Sequence, residues 1–188
     1  MLKEKCFNLI KSDLVRYGKN NLSKLRFLSI FFRQPEFRFL VNHRLANTYS
    51  KKHPLGLITR VWYHSIRAKY GMQIQLGAQL GQGFFLNHWG PVHINHAAII
   101  GKNCNILHGV TIGNVSRGKR KGSPTIGDEV WIGANAVVVG KIRIGNNVLI
   151  APLTFVNFDV PDNSVVVGNP GKIVSQKGSE GYIKNKVL

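Results

Sequence analysis

An aliphatic residue recurs at every sixth position from near Ile74 to about Val156, and that period decides what the chain can fold into. The units read Ile94-Asn-His-Ala-Ala-Ile, Ile100-Gly-Lys-Asn-Cys-Asn and Ile106-Leu-His-Gly-Val-Thr. They resume as Ile126-Gly-Asp-Glu-Val-Trp, Ile132-Gly-Ala-Asn-Ala-Val and Ile144-Gly-Asn-Asn-Val-Leu. The fifth position is small or apolar, as at Ala78, Ala98, Cys104, Val110, Val130, Ala136 and Val148. A helix of about 3.6 residues per turn cannot hold every sixth side chain on one face, whereas coiled short strands can. The repeat therefore predicts a mainly β solenoid whose stacked rungs share one core.

Two interruptions matter as much as the regularity. The spacing stretches to eight residues between Leu86 and Ile94, and to fourteen between Ile112 and Ile126. Insertions in a solenoid emerge at its edge, where binding surfaces are built. The longer one carries the basic run Arg117-Gly-Lys-Arg-Lys121. Ahead of the repeat, Phe27, Leu28, Phe31 and Phe32 sit at helical spacing, as do Phe37, Leu40, Val41 and Leu45, then Leu57, Ile58, Val61, Trp62 and Ile66. Pro35, Pro54-Leu-Gly56 and Gly71 punctuate these stretches. The chain divides into an N-terminal helical subdomain (1–70), a β-helix (71–175) closed by the Gly168-Asn-Pro-Gly171 turn, and a polar tail (176–188).

The chain has 26 Lys and Arg against 8 Asp and Glu in 188 residues, a net charge of +18. Such a field attracts anions: nucleic acid, acidic membrane, phosphorylated cofactors or acidic glycans. No zinc-finger spacing, recognition-helix pattern or aromatic-basic strand signature accompanies the charge, so no nucleic-acid partner is expected. The basic helices suit either packing on the solenoid end or peripheral contact with an anionic membrane. Cys6 and Cys104 make no disulfide framework, and Cys104 occupies a core position of the repeat. Neither a signal-peptide pattern nor a run of about 18 apolar residues is present, and a cytoplasmic protein is expected.

The repeat, the segment Gly81-Gln-Gly-Phe-Phe-Leu-Asn-His88, the segment Ile106-Leu-His-Gly-Val-Thr-Ile-Gly113, and Phe32-Arg-Gln-Pro-Glu-Phe-Arg38 followed by His43-Arg-Leu-Ala46 resemble the serine acetyltransferase-like branch of the hexapeptide-repeat acyltransferases. The likeness runs over about residues 30–175. It implies a left-handed parallel β-helix, a homotrimer with sites in the grooves between neighbours, and acetyl-CoA as co-substrate without a metal. By the same resemblance His88 is the general base on an acceptor hydroxyl. A neutral imidazole can take that proton as the oxygen attacks the thioester carbonyl. Main-chain amides near Gly113 and Asn114 are the implied oxyanion donors. Ala134, Pro152 and the turn ending at Lys172 are the implied contacts to CoA.

Five positions depart from the family's pattern. The acid that backs the catalytic histidine is Gln73 here, the acid preceding that histidine is Asn87, the acid of the N-terminal Asp-Pro motif is Gln34, and the histidine of the insertion loop and the arginine before it are Ser123 and Gly122. Amides and a hydroxyl suit a neutral polyol better than an ammonium ion, which would lose ion pairs. The acceptor expected on that ground is a small-molecule or glycan hydroxyl, a sugar or polysaccharide precursor. Serine stands as the alternative, and a catalytically silent trimeric scaffold as a third reading. Trp89, His93, His96 and His108 surround His88 in sequence, with packing roles and supporting roles both open.

Overall fold

The computed structural model describes residues 2–18 and 23–188. Helices α1 (Leu2–Val15), α2 (Lys24–Arg33), α3 (Pro35–Thr48) and α4 (Pro54–Tyr70) precede a left-handed parallel β-helix. Its first rung is β1 (Met72–Ile74), β2 (Gln79–Leu80) and β3 (Phe85–Asn87), and its second is β4 (Val92–Ile94), β5 (Ile99–Ile100) and β6 (Asn105–Leu107). The third is β7 (Thr111–Gly113), β8 (Thr125–Ile126) and β9 (Trp131–Ile132). The fourth is β10 (Val137–Val139), β11 (Arg143–Ile144) and β12 (Leu149–Ile150). A last rung, β13 (Phe155–Val156) and β14 (Val165–Val167), meets the antiparallel β15 (Lys172–Ser175).

Three sheets result, ordered β1-β4-β7-β10-β13, β2-β5-β8-β11 and β3-β6-β9-β12-β14-β15. Register explains the sixfold period. Ile74, Ile94, Ile112, Val138 and Val156 stack in the first sheet, and Leu86, Ile106, Ile132, Ile150 and Val166 in the third. All ten point inward and are buried. The fourteen-residue spacing becomes a loop between β7 and β8, pinched by paired bonds between Val115 and Gly122.

A β-helix hands the backbone groups of each rung to the next, and its first rung has no predecessor. Buried polar groups at that open end need other partners. The helices supply them. Arg44 of α3 donates Nη1 to Leu80 O and Nη2 to Gly81 O, while the Tyr63 hydroxyl of α4 donates to Ile74 O. Asn47 reaches Ala78 O, and Arg16, just past α1, reaches Gly83 O. Asp13 balances the cation: its two oxygens accept from Arg44 at 3.0 and 3.1 Å, and Oδ1 also accepts from the Phe84 N–H at 2.9 Å. Phe39, Leu40, Ala46, Tyr63 and Ile66 then continue the solenoid's core into the helices.

Periodicity locates α2 and α4 but not their buried faces. α2 buries no residue fully, and α4 turns Gly56, Thr59, Tyr63 and Ile66 inward while Leu57, Ile58 and Val61 face outward. No helix among the described residues is long and apolar enough to cross a membrane. Residues 176–188 run back along the corner where the second sheet meets the third. Ser179 bonds Glu129 O and Asn147, Lys186 pairs with Glu129, Val187 N–H donates to Asn103, and Lys184 O accepts from Arg16.

Replacing Arg44 with Leu strands the buried Asp13 carboxylate, and unfolding in urea is expected to lose about 3–5 kcal/mol. The double replacement Asp13→Leu with Arg44→Leu recovers part of that loss. A second expectation concerns pH. Burial, then the charge of Arg44, lowers the pKa of His43 to about 4. The unfolded chain takes up this proton below about 6.5 and the folded chain does not, so the His43 contribution is full above that pH and falls by about 3 kcal/mol as pH drops toward 4. Burial raises the Asp13 carboxyl to about 6, so its protonation favours the folded chain over the same window and offsets most of that loss. Urea midpoints are therefore expected to change little between pH 6.5 and 4 in the unsubstituted protein and to rise with acidity in His43→Gln.

Candidate active site

The third sheet meets the first at a corner repeated in every rung, and His88 stands there. β3 ends at Asn87, His88 takes φ 67°, and the chain turns through Trp89, Gly90 and Pro91 into β4. A left-handed backbone is uncommon outside glycine, and such strain is held where the surroundings over-determine it. In later rungs the positive φ falls to Gly109, Asn135 and Leu153. Gly109 has no alternative, because a Cβ there would meet Asn135 Oδ1 at 1.9 Å.

Bonds between rungs align this edge. The Gly109 N–H donates to Pro91 O, Asn135 N–H to His108 O at 3.0 Å, and Leu153 N–H to Ala134 O at 2.9 Å. His88, His108, Ala134 and Pro152 therefore follow one another along one corner of the prism. The rings of His88 and His108 lie 6.2 Å apart, edge to face. At the far end of the same edge Phe155 N–H donates to Gly168 O, and Lys172 pairs with Val167 across the turn. Lys172 is exposed.

His88 opens into a cavity of about 380 Å³ that Asn87 and Gln34 also line. Gln34 is the hinge between α2 and α3, far from His88 in sequence, and the seating of α3 on the first rung brings it here. Gln73 is elsewhere. It is paired with His93 on the first sheet and lines a separate hollow of about 130 Å³ with His93 and Thr111. No hydrogen bond joins Gln73 to His88 among the described residues. Gly113 and Asn114 lie at the opposite end of β7 from His108, at the corner between the first and second sheets. Ser123 is at that corner too, where its hydroxyl donates to Asn95 Oδ1 at 2.9 Å. One chain thus carries the base on one edge, and the implied oxyanion donors and loop residue on another. His96 is tied to Gln75 Oε1 through both its N–H and its ring. Among the described residues no group of three His, Cys, Asp or Glu is arranged to hold a metal.

Arg16, Tyr17 and Glu36 are among the other residues that line the His88 cavity. Arg16 is 4% exposed and gives its guanidinium to Lys184 O, Gly83 O and Asn105 Oδ1, all neutral acceptors. Glu36 is 5% exposed, and its Oε2 has no hydrogen-bond partner; nor has the Tyr17 hydroxyl. Burial, then the negative charge of Glu36, raises the Tyr17 hydroxyl well above its ordinary pKa. Sequence reasoning passed over all three. The available signal was scarcity: Glu36 is one of 8 acids in a chain of net charge +18 and follows a proline that opens a helix.

A family model described as bacterial transferase hexapeptide (six repeats) matches residues 123–157. The serine acetyltransferase of Synechococcus elongatus is 40% identical over 152 residues, 80% of this chain and 62% of that protein. That of Bacillus subtilis is 30% identical over 174 residues, covering 93% of this chain and 80% of that one. The chain therefore spans under two thirds of the cyanobacterial relative and four fifths of the bacillar one. Among solved structures, Neisseria gonorrhoeae serine acetyltransferase in complex with serine superposes with TM-score 0.72 at 31% identity, covering 92% of this chain and 70% of that one. Brucella abortus serine acetyltransferase in complex with coenzyme A gives 0.78 at 27% identity, covering 93% and 70%.

Proposed function

The chain belongs to the serine acetyltransferase family of hexapeptide-repeat proteins, and we propose that it transfers the acetyl group of acetyl-CoA to the hydroxyl of serine. The observation that carries this reading is His88, held outward at a strained corner beside Asn87 and Gln34 in one cavity. The acceptor drawn from Gln34, Gln73, Asn87 and Ser123, a sugar or polysaccharide precursor, is corrected here. Relatives at 30–40% identity are serine acetyltransferases, and a family member has been solved with serine bound. The physical reason is that replacing an acid at one position does not empty a cavity of negative charge when another acid lines it.

In the proposed reaction the neutral His88 ring accepts the proton of the serine hydroxyl as its oxygen attacks the acetyl carbon. The carbon–sulfur bond of the thioester breaks, and the departing thiolate recovers the proton from His88. The products are O-acetylserine and free CoA thiol. Main-chain amides along the Ala134–Pro152 edge are suited to the extended CoA, and Lys172 at its end to a phosphate. Gly113, Asn114 and Ser123 stand on the opposite edge of the first sheet, so a neighbouring copy is the natural source of the oxyanion donors. This favours the homotrimer that the resemblance implies. Peripheral membrane contact enters the proposal on separate grounds. Leu28 and Phe32 of α2 and Ile58 and Val61 of α4 are exposed, as are Arg33 and Lys51. Sedimentation with anionic vesicles, lost at high salt, checks that contact.

Thiol release from acetyl-CoA with serine as acceptor tests the reaction directly. Turnover is expected with serine and not with a panel of free sugars. His88→Ala is expected to lower kcat by about 10²–10⁴ while CoA binding persists. Turnover with sugars alone refutes the reading.

A further inference from the structure

We propose that Glu36 is the carboxylate that receives the acceptor's ammonium group, in place of the acids absent at Gln34 and Asn87. The inference rests on the serine reading above. Glu36 is the second residue of α3 and lines the cavity into which His88 opens. It is 5% exposed, its Oε2 accepts no hydrogen bond, and no ion pair joins it to a basic side chain among the described residues. A buried carboxylate oxygen without a donor is costly, and the N-terminus of α3 offsets only part of that cost. Native structures seldom leave such a group unmet, and those that do hold it for a ligand or for chemistry.

The missing partner is a compact cation with several donors. Gln34 and Asn87 line the same cavity and offer amide oxygens, so an ammonium ion lodged there meets one charged acceptor and two neutral ones. Among the described residues no lysine or arginine side chain takes the place. Arg16, the basic residue lining the cavity, has its guanidinium turned to Lys184 O, Gly83 O and Asn105. Those acceptors are neutral, and Asp13 and Glu129 act on Arg16 only through their charge. Among the described residues no carboxylate is hydrogen-bonded to it, so the acceptor's own carboxylate can be. The cavity thus carries a negative site, a positive site and a base, an arrangement that matches the three groups of a hydroxy amino acid. A neutral polyol would leave both charges uncompensated.

Steady-state acetyl transfer by the full chain decides the matter, with Glu36→Gln as the isosteric neutral variant and Glu36→Asp as the charge-retaining one. Glu36→Gln is expected to raise the KM for serine by about ten- to hundredfold, with the KM for acetyl-CoA within about twofold. It should also erase the preference for serine over 3-hydroxypropionate, which lacks the amino group. Glu36→Asp should restore part of that preference. Removing an unpaired buried charge should leave the thermal midpoint unchanged or raise it, which separates lost binding from lost folding. Serine turnover by the unsubstituted protein with an unchanged serine KM in Glu36→Gln overturns the role of Glu36 alone. No serine turnover by the unsubstituted protein overturns the functional reading and this inference with it.

Discussion

The open end of the β-helix is the constraint around which the rest of the molecule is arranged. Each later rung satisfies its backbone through the rung before it, while the first must borrow donors from the helices. Arg44 is the chief lender, bonding Leu80 O and Gly81 O, and the cost of burying its charge is met by Asp13. Because Asp13 lies on α1 and Arg44 on α3, one ion pair locks two helices onto the first rung. A pair of this kind adds little net stability, but its geometry leaves few ways to seat the helices. The junction of α2 and α3 is thereby carried to the corner where His88 projects, and the cavity proposed as the acceptor site forms where the end cap overhangs the edge.

That cavity divides its labour between two kinds of backbone. His88 belongs to the solenoid, whose ladder of bonds permits little drift, and its corner also presents His108, Ala134 and Pro152 at regular intervals. Gln34, Glu36 and Tyr17 belong to the cap. A rigid rail, proposed for the long co-substrate, and a separately built chamber, proposed for a small acceptor, can then vary independently. The substitutions noted at Gln34 and Asn87 fall in the chamber, while the rail keeps the glycine and small residues that its tight corner demands.

How much of this was legible in the sequence follows from what each feature depends on. The rungs are local in origin: Ile94, Ile100 and Ile106 announce their inward direction by spacing alone. The outward loop was legible because it interrupts the period, whereas His88 entered through the resemblance and not through spacing. Helix α1 was not singled out, since Asp13 and Arg16 look like surface charges until the first rung demands buried donors. Glu36 was missed for a related reason. A single acid shows neither its burial nor its lack of a partner in one dimension, and both arise from how α3 meets β3. The sugar acceptor was inferred by reading Gln34 and Asn87 position by position, whereas a cavity recognises its ligand through the summed charge of its walls.

The returning C-terminal segment carries a consequence for biogenesis. Lys184 O and Asn185 bond the residue that closes α1, and Asn185 borders the cavity of His88. Ribosomal synthesis releases these residues after every rung has emerged, so the rungs can stack on one another while the chamber still lacks a wall. The wall that Asn185 adds therefore comes later than the rungs it stands beside, a built-in delay between having a fold and having a closed chamber.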